Sequence, residues 1–348
     1  TGTLGGTVTV ANGSAVLGDS ASTGTLTLGN LTFSGTATVN VGVLSNYTSA
    51  AAISTGTLTA SGAAGSVTLA LPSGAVSNGT YRLIAHTNSL ASISAFVVTG
   101  PTVGGRQSAI LTNNATSLDY VVSGDSPYWT GAVSSSWDTS TNNWRLITAG
   151  TVTNYQVSPS ADSVLFTDSP NLVSTTIDIG ANVSPTAVDF NHSTANFTLQ
   201  GAAGIAGSTN LLKRGTGTLT INNANTYSGG TTLSAGTIVV GNNGALGSGS
   251  VALNGGTLNV GAQSLSNAIV LGGGALAFSG ATLSGAISET GGARSLAVAS
   301  NLTLSGLNSF TGGVSLSAGT LTLNHANALG GGTLSITGGT LDSTAAST

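Results

Sequence analysis

The chain has 348 residues, 40% hydrophobic but only 5% charged and 5% aromatic, with 52 glycines, no cysteine and a formal net charge of −4. An ordinary globular domain carries about 25% charged residues, so this one offers no electrostatic footprint for nucleic acid and none for anionic lipid. Disulfides and thiol chemistry are excluded, while Val, Ile, Leu and Thr at short intervals set the chain apart from a disordered one.

The predicted elements are short strands from the start. TGTLGG opens the chain, TGTLTLGNLTFSGTATVNVG follows from Thr23 and TGTLTASGAAGSVTLAL from Thr55. Each alternates apolar and polar residues between clusters of Gly, Ser and Asn, the pattern of a strand with one buried face. NGTYRLIAHTNSL, from Asn78, reads as a more regular strand pair. Residues 1–123 are expected to form a first β-solenoid segment.

Between about 124 and 190 the rhythm breaks. All three tryptophans (Trp129, Trp137, Trp144), four of the six prolines and six of the ten acidic residues fall there. Residues 124–200 are expected to be a junction or insert. One reading has exposed indoles stacking on sugar faces, with Asp138, Asn142 and Asn143 supplying hydrogen bonds. The other has the indoles filling an irregular junction, since aromatic rings bury much apolar area. Asp162, Asp168, Asp178 and Asp189 lack the close spacing that calcium requires and read as turn residues.

Residues 201–348 carry a tandem repeat. NTYSGGTTLSAGT from Asn225 returns as NSFTGGVSLSAGT from Asn308, 83 positions on, and 18 of 40 positions are identical between 219–258 and 302–341 without a gap. The repeat is defined by Tyr227, Gly229, Gly230 and Gly236, matched by Phe310, Gly312, Gly313 and Gly319. Inside it, GT-L or GT-I recurs at Leu219, Ile238 and Leu258, and again at Leu302, Leu321 and Leu341, with looser beats near Leu276 and Leu296. A strand and turn about every 20 residues suits one rung of a solenoid. A single rung cannot bury its apolar face, but stacked rungs about 4.8 Å apart bury a continuous core.

The run LLKRGTGTLTINNANTYSGGTTLSAGTIVVGNNGALGSGSVALNGGTL, at 211–258, resembles the passenger-associated (autotransporter-associated) β-strand repeat, as does 302–341. SPYWTGAVSSSWDTSTNNW and SPTAVDFNHSTANFTLQGAAGIAGSTN resemble linkers that precede it, and NGTYRLIAHT is similar to the strand pair that closes a preceding unit. The resemblance implies a right-handed parallel β-helix exported to the bacterial surface. It also implies a role in passenger secretion and folding, and it transfers no catalytic residues.

An enzyme is weighed and set aside. The sequence has no GxSxG, HExxH or P-loop, and its histidines (His86, His192, His325) are far apart, with Glu289 its only glutamate. The expectation is an all-β parallel solenoid of about 15–17 rungs, some 70–80 Å long, serving as a non-catalytic surface fibre, stalk or matrix filament. The alternative is an adhesin module binding glycan or a cell surface through the tryptophan segment. No cofactor or metal is expected. Candidate partners are the chain itself, stacked head to tail, flanking repeats of a larger chain, and a surface glycan; nucleic acid and membrane insertion are not expected. With no methionine, the chain reads as a mature or excised segment.

Overall fold

The structure, a computed structural model, describes residues 2–11, 16–17, 24–42, 50–76, 78–88, 90–158 and 160–344. Thr23, where the second sequence run begins, lies outside them. Every regular element among the described residues is a strand. The chain divides into two compact units, Thr1–Asp125 and Ser126–Thr348.

In the first unit, parallel strands stack in two sheets. Leu26 pairs with Ile53 and Ile53 with Ile84 in one, while Ala37 pairs with Val67 and Val67 with Phe96 in the other. These steps of 27 to 31 residues exceed the expected 20. The strand Gly79–Ala85, part of the predicted strand pair, lies parallel to Ile53–Thr55 and antiparallel to Ser117–Gly124. An antiparallel hairpin, Gln107–Asn114 with Ser117–Gly124, ends the sheet.

The second unit is a three-sided parallel β-solenoid. A ten-stranded sheet begins with an antiparallel hairpin of Pro127–Trp129, Trp144–Leu146 and Val152–Thr153. Parallel stacking then proceeds from Ser163–Thr167 onward, so the departure from the ladder is shorter than the compositional break suggests. A six-stranded sheet forms the second side and a five-stranded sheet the third. Alternation decides the facing. In Thr218–Ile221 the threonines are half-buried while Leu219 and Ile221 are buried. Phe197, Leu219, Ile238, Leu258 and Leu276 then stack in register along the inside. Each fully buried aliphatic side chain contributes about 1.5–3 kcal/mol.

The corners are where the repeat glycines sit. Gly230 and Gly313 have φ of 87° and 84°, and Gly236 and Gly319 have 73° and 76°. Only glycine adopts that region without strain. The side chains behave as alike as the backbones. Asn225 accepts a hydrogen bond from the Ile205 amide and donates to the Ala245 carbonyl; Asn308 does the same with Ile287 and Ala328.

The two copies nevertheless occupy different sides of the prism. Within a rung the chain visits Thr257–Gly261 on the six-stranded sheet, Ser264–Leu265 on the five-stranded sheet, then Ile269–Leu271 on the ten-stranded sheet. Leu219, Ile238 and Leu258 of the first copy lie on the six-stranded side, whereas Leu302, Leu321 and Leu341 of the second lie on the five-stranded side. Consistently, the amide of Ser309 donates to the Ile287 carbonyl, beneath the ten-stranded sheet. Four rungs take the six-stranded side's beat from Leu219 to the Leu296–Val298 strand, whose neighbour Ser300 hydrogen-bonds the Phe278 carbonyl. The remaining six residues to Leu302 carry the chain one side further. An 83-residue offset is thus four rungs and one side.

Candidate functional site

The hairpin that opens the ten-stranded sheet is set by its indoles. Trp129 and Trp144 pair directly across adjacent strands, with ring centroids 5.0 Å apart and edge to face. Trp137 packs 5.4 Å from both Trp144 and Phe166, and Phe166 stacks on Phe190 of the next rung at 4.3 Å. All three indoles are buried. This corrects the expectation of exposed rings for stacking on sugar: no indole face is open, because the rings fill the end of the solenoid core. Trp129 Nε1 donates to the Ser174 carbonyl at 2.8 Å, tying the following loop down.

Asp138 and Asn143 are likewise engaged within the fold. Asp138 accepts from the Ser140 and Thr141 amides and from both hydroxyls. Burial raises its pKa, but the Thr141 and Ser140 hydrogen bonds outweigh that and hold the carboxyl below its usual value. Asn143, buried, accepts from the Val133 and Ser134 amides and donates to Ser134 Oγ and the Ser136 carbonyl. Asn142 is exposed.

The four carboxylates of the acidic run are each used separately. Asp162 takes the Gln156 amide, and Asp168 takes the amides of Ser193, Thr194 and Ala195. Asp178 takes Ser135 and Gln200, and Asp189 pairs with Arg214. Among the described residues no three potential metal ligands gather. The repeat-defining Tyr227 and Phe310 are buried beside their corner glycines.

On the outer side of the tryptophan hairpin lies a cleft of about 320 Å³, lined by Thr130, Ala132, Arg145, Val152, Pro170, Asn171 and Val173. Strand alternation builds it. Because Trp129 and Trp144 point inward, their neighbours Tyr128 and Arg145, paired across the strands, point outward, and Val152 continues the row. The loop after Thr167 forms the opposite wall: Val173 donates its amide to the Thr130 carbonyl, and Asn171 Nδ2 donates to Tyr128 Oη at 2.9 Å.

Arg145 is the charged group of this cleft. Its Nη1 donates to the Gly150 carbonyl, while its Nε is buried without an acceptor. An unsatisfied buried donor costs about 1–3 kcal/mol, more when charged. The other cations of this unit have carboxylates at hand. Arg214 is paired with Asp189, Lys213 feels Asp189 and Asp168, and Arg294 feels Glu289. Sequence reasoning passed over Arg145, although the pairs Tyr128–Trp129 and Trp144–Arg145 carried the signal: an inward indole forces its strand neighbour outward.

Three stretches, residues 21–45, 211–240 and 299–323, match the passenger-associated-transport-repeat family. One match falls in the first unit and two in the second. A search of curated proteins finds similarity to the adhesin BmaC autotransporter of Brucella suis biovar 1 (strain 1330), 35% identical over 133 residues. That alignment covers 38% of this chain and 3% of the relative. No solved structure matches.

Proposed function

We propose that this chain is a non-catalytic, extracellular segment of a bacterial surface protein, a β-solenoid segment that serves in a stalk or fibre. The observation that carries the reading is the in-register parallel stacking of the second unit, whose single apolar core continues from rung to rung through both repeat copies. Such a ladder extends indefinitely, resists proteolysis through its continuous backbone pairing and needs almost no charge. The passenger-associated-transport repeats point to export and cell-surface exposure. Antibodies against the purified chain test this: they should label intact cells, and external protease should remove the label. Labelling only after lysis would sink the proposal.

A second reading, adhesion, is favoured by similarity to an adhesin and by the cleft beside Arg145. Axial association is a third element of the proposal. The outermost described strands, Leu334–Ile336 and Thr340–Ser343, leave Ile336 51% and Leu341 42% exposed. A further rung of the same ladder, from a continuation of the chain or from a second copy, would cover them, and head-to-tail contacts of identical surfaces extend without closing. Electron cryo-microscopy of the purified chain decides it: filaments with continuous rung spacing are expected, and particles that stay single at high concentration would refute self-stacking.

A further inference from the structure

We propose that the cleft over the tryptophan hairpin binds a carboxylated sugar, with Arg145 holding the carboxylate. The inference rests on the adhesive reading above and specifies its ligand. Gly150 occupies Nη1 of Arg145 from one side, and Nε is buried without an acceptor among the described residues. A carboxylate that reaches Nη2 from the cleft would satisfy Nε with its second oxygen, the fork by which a guanidinium holds a carboxylate. No carboxylate among the described residues pairs with Arg145, so the charge is left for an incoming one.

The rest of the lining defines what should carry that carboxylate. Ala132, Val152, Pro170 and Val173 give the cleft apolar walls, suited to the C–H faces of a pyranose ring. Asn171 supplies a carboxamide for ring hydroxyls, whereas the buried Thr130 hydroxyl is spent on the Asn143 carbonyl. Asn171 is positioned by Tyr128, and no donor among the described residues takes its side-chain oxygen. A concave, mostly apolar site with a few placed polar groups is the usual form of a small-ligand pocket. One guanidinium, a neutral carboxamide and apolar walls together match a ring bearing a single acid, as in a uronic acid residue.

The test is direct titration of the purified full chain with three probes: methyl glucuronoside, methyl glucoside and N-acetylglutamate. The glucuronoside should bind at least tenfold more tightly than either of the others. Arg145→Gln should abolish that preference. Val173→Glu offers a second variant that leaves the fold alone, because Val173 is 72% exposed. Its carboxylate would occupy the guanidinium and should weaken glucuronoside binding at least tenfold. Unchanged indole fluorescence in both variants would show the hairpin beneath to be intact. Equal binding of glucoside and glucuronoside, or glucuronoside binding that survives both substitutions, would overturn the proposal. So would N-acetylglutamate binding as well as the sugar acid, which would assign the cleft to acidic peptide. Because the purified chain is used, failure here is separate from failure of surface labelling, which tests the location.

Discussion

At the scale of single residues, the two repeat copies form a natural substitution experiment. Tyr227 Oη lies 2.7 Å from Thr231 Oγ1, both buried. The second copy places Phe310 and Val314 at the same two positions, so both hydroxyls vanish together. Removing one partner of a buried hydrogen bond strands the other, whereas removing both is nearly neutral. Thr231→Val alone is therefore expected to cost about 1–3 kcal/mol, and Tyr227→Phe with Thr231→Val close to nothing. A double-mutant cycle by denaturant unfolding would show strictly additive losses if this account were wrong. His325 repeats the lesson at the surface: its Nδ1 accepts the Asn327 amide as the Asn242 side chain accepts that of Gly244.

Lys213 is the residue least expected in the core. It lies in register between Phe190 and Leu233 on an inward row. Its Nζ donates to the Arg214 and Gly215 carbonyls at 2.7 and 2.8 Å. Burial pushes its pKa down from 10.5 to about 8, against the pull of Asp189 and Asp168. The unfolded chain therefore binds more protons than the folded one between those values, so stability rises with pH from about 8 upward. Below pH 8 the penalty is present in full. His192, whose pKa burial and then Lys213 lower, acts in the same sense: stability falls as pH drops below 6.5. Above pH 10 the buried hydroxyls of Tyr155 and Tyr227, held protonated by burial, oppose further gain. Unfolding midpoints from pH 7 to 10 should climb in the parent chain and climb less in Lys213→Met; parallel profiles would contradict this assignment.

At the scale of elements, the repeat is a module of side lengths rather than of whole rungs. Strands three or four residues long and two-glycine corners let one phrase fit more than one side of the prism, since each side the copies occupy is a parallel ladder with an inward aliphatic row. The rotation is testable with engineered cysteines, the chain having none of its own. Thr282 and Thr303 are register partners on the five-stranded side. Cysteines there should cross-link readily on mild oxidation, or broaden each other's spectra when spin-labelled. Cysteines at Ala277 and Thr303, which belong to different sides, should not. Cross-linking of the second pair but not the first would mean that both copies share one side.

At the scale of the whole molecule, two cores share no residue. The first draws its buried apolar residues from Val10 to Val122, the second from Trp129 to Ala328. All three indoles belong to the second. Residues 126–348 expressed alone should therefore fold and keep the blue-shifted, iodide-resistant tryptophan emission of the full chain. Red-shifted, quenchable emission from that fragment would show that the first unit is required.

How much of this was legible in the sequence depends on how local its cause is. Alternation in TLTI or TIVV, corner glycines and the spacing of GT-L beats dictate strands, turns and a solenoid, because each is settled within a few neighbours along the chain. The family resemblance rested on those same local phrases. The direction of Tyr128 and Arg145 was implicit in the indoles beside them, yet the cleft also needed the loop after Thr167 to fold across, a contact some 40 residues away. Three outcomes belong to the tertiary structure alone. The indoles are core rather than surface because the first parallel rung stacks on them. Lys213 is tolerated inside because two corner carbonyls converge on its ammonium. The second repeat copy is turned by one side because the rung lengths between the copies accumulate, and a sum over four rungs is a property of the whole stack that no single phrase contains.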